Sequence, residues 1–286
     1  MTILARPRRK NCVSPVYFGH QFVNLLLGVA GENLMGAAIS SAPTTFSEHV
    51  FKFLEKVEHR VASNPAEREA VFRLRYDAYR GNGFLKPRLD EKLYDPLYDS
   101  GPMAWITMTF VDGELAGTVR VSVGTAENAV LPGLQVFSDI LAPRLRARQT
   151  IVEFTRLAAK LSLSSARPEL PYIIMRPGFI AAQHFDADFA VATPREEHIA
   201  FYKRAFGAAL WCAPRDYPGL TAKLACMGAN YPAVRSAIEA RYPFYKSTAA
   251  ERAALFGPRD AAPDGRSPPA RVLRLTSSGA EVSSPA

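Results

Sequence analysis

The period of hydrophobic and polar positions changes several times along the chain, and each change predicts an element. From Ser47 to Tyr79 the spacing is helical. Phe51, Leu54, Val57 and Val61 mark one apolar stripe, and Val71, Leu74 and Ala78 mark another. Asn64-Pro65 between them opens the second helix. The period then drops to two in "MAWITMTFVDGELAGTVRVSV", where Ile106, Met108 and Phe110 alternate with Thr107 and Thr109. Asp112-Gly113 supplies a tight hairpin turn. On the return strand Val119, Val121 and Val123 face one way, and Thr118, Arg120 and Ser122 the other.

"IVEFTRLAAK" (151–160) reads as a third strand with awkward contents. Val152, Phe154 and Leu157 suit a buried strand, yet Glu153, Thr155 and Arg156 sit among them. Burying a charge is costly unless it is paired or used. Strict alternation puts Glu153 and Thr155 on one face and Arg156 on the other, so the three converge only if the strand bulges. After an intervening helical stretch, "DFAVAT" is a short buried strand. Thr193-Pro194-Arg195-Glu196 reads as a capping box opening a helix. Glu196 and Glu197 stand at its start, Lys203 and Arg204 near its end, and Gly207 stops it. "AALWC" and "GLTAKLACM" are further strands and "PAVRSAIEARY" a last helix. The order predicts an α+β, or mixed α/β, domain with a central sheet.

Composition sets the boundaries. From about Ser247 the chain is rich in Ala, Pro, Ser, Gly and Arg, and 246–286 reads as a disordered tail. The folded domain is expected over 45–245. Residues 1–44 form an arm or docked helix: "ARPRRK" before an apolar run resembles a signal peptide, but the run begins late and Glu32 and Asn33 interrupt it. No segment spans a bilayer, which leaves weak surface association. The formal charge of +8 is dispersed. It suits acidic partners in general, and with no recognised DNA- or RNA-binding motif nucleic acid is not expected. Cys12, Cys212 and Cys226 form no metal-binding spacing and read as reduced thiols of a cytoplasmic protein, with no structural zinc and no bound cofactor expected.

The order of elements resembles the GNAT acyltransferase fold, a twisted sheet flanked by helices, and "HIAFYKRAFGAALW" is similar to that family's helix into a following strand. Glu153-Phe154-Thr155-Arg156-Leu157 resembles the E-x-S-R-F element of autoinducer (acyl-homoserine-lactone) synthases and its counterpart in N-acyl amino acid synthases. Arg75 and Tyr79 in "LRYDAY" stand in the R-x-x-x-F spacing, and Arg120 in "GTVRV" in the G-x-x-R element. Asp95 and Asp99 stand near the family's acidic pair, four apart where lactone synthases usually show three. Phe84-Leu85 replaces the lactone synthases' tryptophan. The resemblance covers about residues 65 to 228 and implies an N-acyltransferase of the N-acyl amino acid synthase branch. A lactone synthase using S-adenosylmethionine is the alternative, and a non-catalytic acyl- or nucleic-acid-binding protein a second.

Under that resemblance Glu153 is the candidate base for the acceptor amine, burial lifting its pKa toward neutrality. Its structural alternative is a pair with Arg120 or Arg156. Arg75, Tyr79, Asp95, Arg120, Thr155 and Arg156 are candidate substrate-binding residues, and the arginines could equally order a polar network with Asp95 or hold an amino acid's carboxylate. Tyr202 matches the position where GNAT enzymes place a tyrosine near the thioester sulfur, as an acid, while His198 reads as a surface residue. Acetyl-CoA enzymes of this fold carry an R/Q-x-x-G-x-G/A loop for pyrophosphate. "LAAKLSLSSARPELP" after Arg156 has no such glycines, which points to acyl carrier protein as the donor. Arg144, Arg146, Arg148 and Lys160 are the candidate docking residues for that acidic partner.

Overall fold

The computed structural model describes residues 45–258, 272–276 and 279–283, and the arm over 1–44 lies outside them. Helix α1 (Thr45–Leu54) buries Val50, Phe53 and Leu54 and leaves Phe51 exposed. It does not run on through Val57 and Val61, which belong to strand β1 (Val57–Val61). Val57, His59 and Val61 fit a period of two as well as a helical one. Antiparallel pairing of Val57 with Val111 and Val61 with Thr107 decides between them. Helix α2 (Pro65–Gly81) begins where Asn64-Pro65 predicts: the Asn64 side chain accepts from the Glu67 N–H at 3.0 Å, and Pro65 occupies the first turn. A single turn, α3 (Pro96–Asp99), follows.

The hairpin forms as the alternation predicts, β2 (Ala104–Val111) pairing with β3 (Glu114–Gly124) across Asp112 and Gly113, both at positive φ. Every residue of β2 is buried, so the alternation separates two covered faces. The threonine hydroxyls are satisfied inside the sheet: Thr107 donates to the Val119 carbonyl at 2.8 Å and Thr118 to the Thr107 carbonyl at 2.6 Å. Helix α4 (Leu134–Arg146), which the sequence pattern did not announce, leads into β4 (Ile151–Ala159). Then come α5 (Leu161–Ser164), α6 (Leu170–His184) and β5 (Phe189–Ala192).

The expected capping box at Thr193 is not formed. Residues 193–195 stay extended and bond to the neighbouring strand, a 3-10 turn occupies Glu196–His198, and α7 runs Ile199–Phe206 to Gly207 in the left-handed region. Strands β6 (Ala209–Asp216) and β7 (Lys223–Asn230) and helix α8 (Tyr231–Arg241) follow. Cys212 and Cys226 lie opposite one another in the β6–β7 register as free thiols.

The tail reading needs correction at its start. Thr248 and Glu251 form a capping box for α9 (Ala249–Phe256), and β8 (Val272–Thr276) and β9 (Gly279–Ser283) extend the sheet beyond β1. "TAAERAALF" carries both the cap and an apolar face, and the Pro/Ser-rich composition around it obscured them. Among the described residues the sheet has nine strands in the order β6-β7-β5-β4-β3-β2-β1-β8-β9, with only β4–β5 parallel. One face packs on α2 and α4. The other packs on an aromatic-rich core from α1, α6, α7, α8 and α9. Among the described residues no helix is long and apolar enough to cross a membrane.

Candidate active site

The site is built where β4 breaks its alternation. Thr118 faces Ala158 while Arg120 faces Thr155, so three steps on β4 oppose two on β3. Arg156 is the extra residue, in the left-handed region at φ 54°. This is the bulge that convergence required. Glu153 and Thr155 stay on the face of Arg120, and Arg156 comes within 3.8 Å of Asp95, as does Arg120.

Asp99 is the centre of the buried network. Arg75 donates to its Oδ1 at 2.9 Å and Arg120 at 3.2 Å, and the Asp95 N–H donates to Oδ2 at 2.9 Å. Arg120 Nε donates to Thr155 Oγ at 3.0 Å. Of the three arginines that could order a network with Asp95, Arg120 and Arg156 stand near it, while Arg75 pairs with Asp99. The four-residue spacing of the two aspartates is one turn of α3, which leaves Asp95 half-buried beside Arg120 and Arg156. Burial opposes ionisation of Asp99, but the two guanidiniums outweigh it and hold the carboxyl below its usual range.

Glu153 is fully buried and forms no ion pair with Arg120 or Arg156; its Oε2 accepts from the Gly133 N–H at 3.0 Å, at the start of α4. Among the described residues its Oε1 has no hydrogen-bond partner. Burial pushes the pKa up to about 7, against the opposing pull of Gly133 and Arg120.

Beyond Phe154 the β4–β5 ladder ends. Strand β4 continues, but the chain after β5 turns to β7, the Ala225 N–H donating to the Pro194 carbonyl at 2.8 Å. The wedge between them holds a cavity of about 170 Å³. Phe154, Leu157, Met175 and Phe201 give it apolar walls, and Arg120, Arg156, Arg195, Tyr79, Thr155, Tyr202 and Tyr217 give it polar groups. A smaller apolar and aromatic cavity of about 30 Å³ shares Phe154, Met175 and Tyr202 with it. Burial, with Tyr79 nearby, raises the Tyr202 phenol above its ordinary range and keeps it protonated. His198, expected at the surface, lines the cavity, and burial followed by Arg195 pushes its pKa down to about 4.

Arg195, Phe84 and Tyr217 were missed by sequence reasoning. Arg195 stacks on Phe84 at 3.6 Å, and Phe84 in turn meets Tyr79 edge-on at 6.4 Å. Tyr217-Pro218-Gly219 is a turn signature that could have marked that loop.

The docking residues are not brought together. Arg144 stacks on Trp211 at 3.8 Å, Arg148 pairs with Glu127 at 2.8 Å, and Lys160 pairs with Glu114. Arg144, Arg146 and Arg148 precede β4 and Lys160 follows it, about 30 Å away at ~3.3 Å per strand residue. Among the described residues no cluster of three His, Cys, Asp or Glu could hold a metal.

Sheet order, wedge and flanking helices are those of the GNAT-like acyltransferase fold. Residues 70–230, more than half of the chain, match the model of the FeeM family, N-acyl amino acid synthase FeeM, and the chain belongs to that family. The structure of FeeM, an N-acyl amino acid synthase from uncultured soil microbes, superposes with a TM-score of 0.53 at 21% identity, covering 63% of this chain and 93% of that one. The CoA-dependent acyl-homoserine lactone synthase BjaI, solved with MTA, gives 0.47 at 16% identity over 65% and 88% of the two chains. No curated protein matches the chain.

Proposed function

We propose that this N-acyltransferase moves a fatty acyl chain from an acyl carrier protein thioester to the amine of an amino acid or related small amine. The observation that carries this reading is the cavity lining: apolar walls, three guanidiniums from Arg120, Arg156 and Arg195, and no aspartate or glutamate. An acceptor presenting a carboxylate suits that wall. Arg156, held to Asp95 only at 3.8 Å, is the least committed of the cluster and receives the carboxylate.

Glu153 lies two residues along β4 from Thr155, about 7 Å, and takes the ammonium proton through an intervening water. The freed amine attacks the thioester carbonyl, the C–S bond breaks, Tyr202 gives its phenol proton to the leaving thiolate, and the second proton of the acylated nitrogen passes to the Tyr202 phenolate. The chain after β4 lacks the glycines of a pyrophosphate cradle, which supports a carrier-protein donor and with it a cytoplasmic setting. The test incubates the purified protein with long-chain acyl carrier protein or acyl-CoA and a panel of amino acids plus S-adenosylmethionine, read by mass spectrometry. N-acyl amino acid from the carrier-bound donor is expected. No N-acyl product with any amine, from a folded sample, overturns the reading, and a product only with S-adenosylmethionine makes it a lactone synthase.

A further inference from the structure

Tyr217 opens a Tyr217-Pro218-Gly219-Leu220 turn, with the Leu220 N–H donating to the Tyr217 carbonyl at 3.1 Å and Gly219 at φ 78°. The turn fixes the tyrosine, whose ring is buried and lines the cavity. Its hydroxyl donates to the Pro132 carbonyl at 3.1 Å. The N–H of that same peptide unit, belonging to Gly133, donates to Glu153 Oε2 at 3.0 Å. One peptide group is therefore held at its oxygen by a phenol and spends its N–H on the carboxylate. Hydrogen bonds in series polarise one another, so the phenol strengthens the N–H as a donor. The approach exists because position 133 is glycine: a Cβ there would lie 2.8 Å from both Glu153 Oε1 and Leu141 Cδ1.

We infer that Tyr217 is a positioning residue for acyl transfer, holding and tuning the Glu153 carboxylate through the Pro132–Gly133 peptide. The other titratable groups facing that carboxylate are Arg120 from β3, Tyr98 from α3 and Cys226 from β7. Arg120 is committed to Asp99 and Thr155, and Oε1 has no partner among the described residues, so the Gly133 N–H carries the direct stabilisation of the anion. A hydrogen bond to the charged form lowers an acid's pKa, and weakening it raises that pKa.

The inference rests on the proposed role of Glu153, and its test separates the two. The Glu153 carboxyl band is titrated by infrared difference spectroscopy, wild type minus Glu153→Gln, alongside the pH–rate profile. In Tyr217→Phe the midpoint rises by about half a pH unit, a threefold weaker acid, and the rising limb of the rate profile moves with it. With 3-fluorotyrosine incorporated at position 217, a better donor of the same shape, both move down. A midpoint unchanged in both folded variants overturns the inference. A wild type that transfers no acyl group defeats the functional reading while the infrared titration still decides the role of Tyr217.

Discussion

Asp95 and Asp99 sit one helical turn apart, yet they do different work. Asp99 is fully buried between Arg75 and Arg120, so removing its charge takes the counter-charge from Arg75 and leaves Arg120 only the longer contact with Asp95. Asp99→Asn is expected to lose about 3–5 kcal/mol of unfolding free energy. Asp95 keeps about a quarter of its side chain exposed and stands 3.8 Å from Arg120 and Arg156. Asp95→Asn should cost under about 1 kcal/mol while lowering KM for the acceptor, since it frees Arg156 and removes a like charge beside the bound carboxylate. Denaturant titration and steady-state kinetics on both variants check this contrast. Glu153 supplies a pH dependence of opposite sign to the usual carboxylate. Its pKa rises from an ordinary 4.5 to about 7 in the fold, so the folded state binds the proton more tightly. Stability is full below pH 4.5, erodes up to about pH 7, and is constant above that. Glu153→Gln should therefore gain on the wild type between pH 5 and pH 8, by roughly 2.5 kcal/mol. Equal gaps between their urea midpoints at the two pH values would contradict this.

Among the elements, β4 carries the most consequence because one residue in it breaks the rule of two. The sequence shows that Arg156 reaches Glu153's face only through a bulge, but not that the bulge exists; nothing in "EFTRLAAK" marks an arginine in left-handed backbone. Its cost, about 1–2 kcal/mol for a non-glycine residue, is set by the tertiary frame. Arg156→Gly is thus expected to be more stable than Arg156→Ala by about 1 kcal/mol, with the same rise in acceptor KM in both. If the alanine variant equals the glycine variant in thermal stability, the left-handed backbone is not retained. Other elements divide for physical reasons of the same kind. The β2–β3 hairpin was legible because alternation and Asp112-Gly113 agree. Strand β1 was not, since "VEHRV" fits both periods and only its partners β2 and β8 decide. Helix α4 was hidden by Pro143 and by a break in helical geometry at Phe137. The residues of the acidic–basic network were legible one by one through the family resemblance. Which aspartate takes which arginine is a matter of burial, and pattern does not encode it.

The whole molecule adds to the family's matched core, residues 70–230, a set of elements that clamp it from outside. Helix α1 sets Phe46 edge-on to Tyr172 of α6 at 4.9 Å, and the chain after α8 returns across the same helix. Arg176 of α6 is the anchor of that return. Its Nε donates to the Phe244 carbonyl at 2.7 Å, and its second nitrogen donates to Glu251 Oε1 at 2.5 Å and to the Lys246 carbonyl at 3.3 Å. Glu251 also closes the capping box of α9, so one buried carboxylate serves both a helix start and a buried cation. Gln183 adds a bond to the Tyr245 carbonyl at 2.9 Å. α9 then packs Leu255 and Phe256 into the core shared with α6. Glu251→Gln keeps the side-chain shape but leaves Arg176 a buried charge without its counter-charge, at an expected cost of about 3–5 kcal/mol. Replacing both partners, Arg176→Met with Glu251→Leu, removes the charge together with its desolvation penalty and should recover part of that loss, the helix cap and the carbonyl partners staying lost. Chemical denaturation of the single and double variants measures both numbers. A single variant within about 1 kcal/mol of wild type would mean that the aromatic contacts alone hold the C-terminal clamp. In that case the double variant should be the less stable of the two.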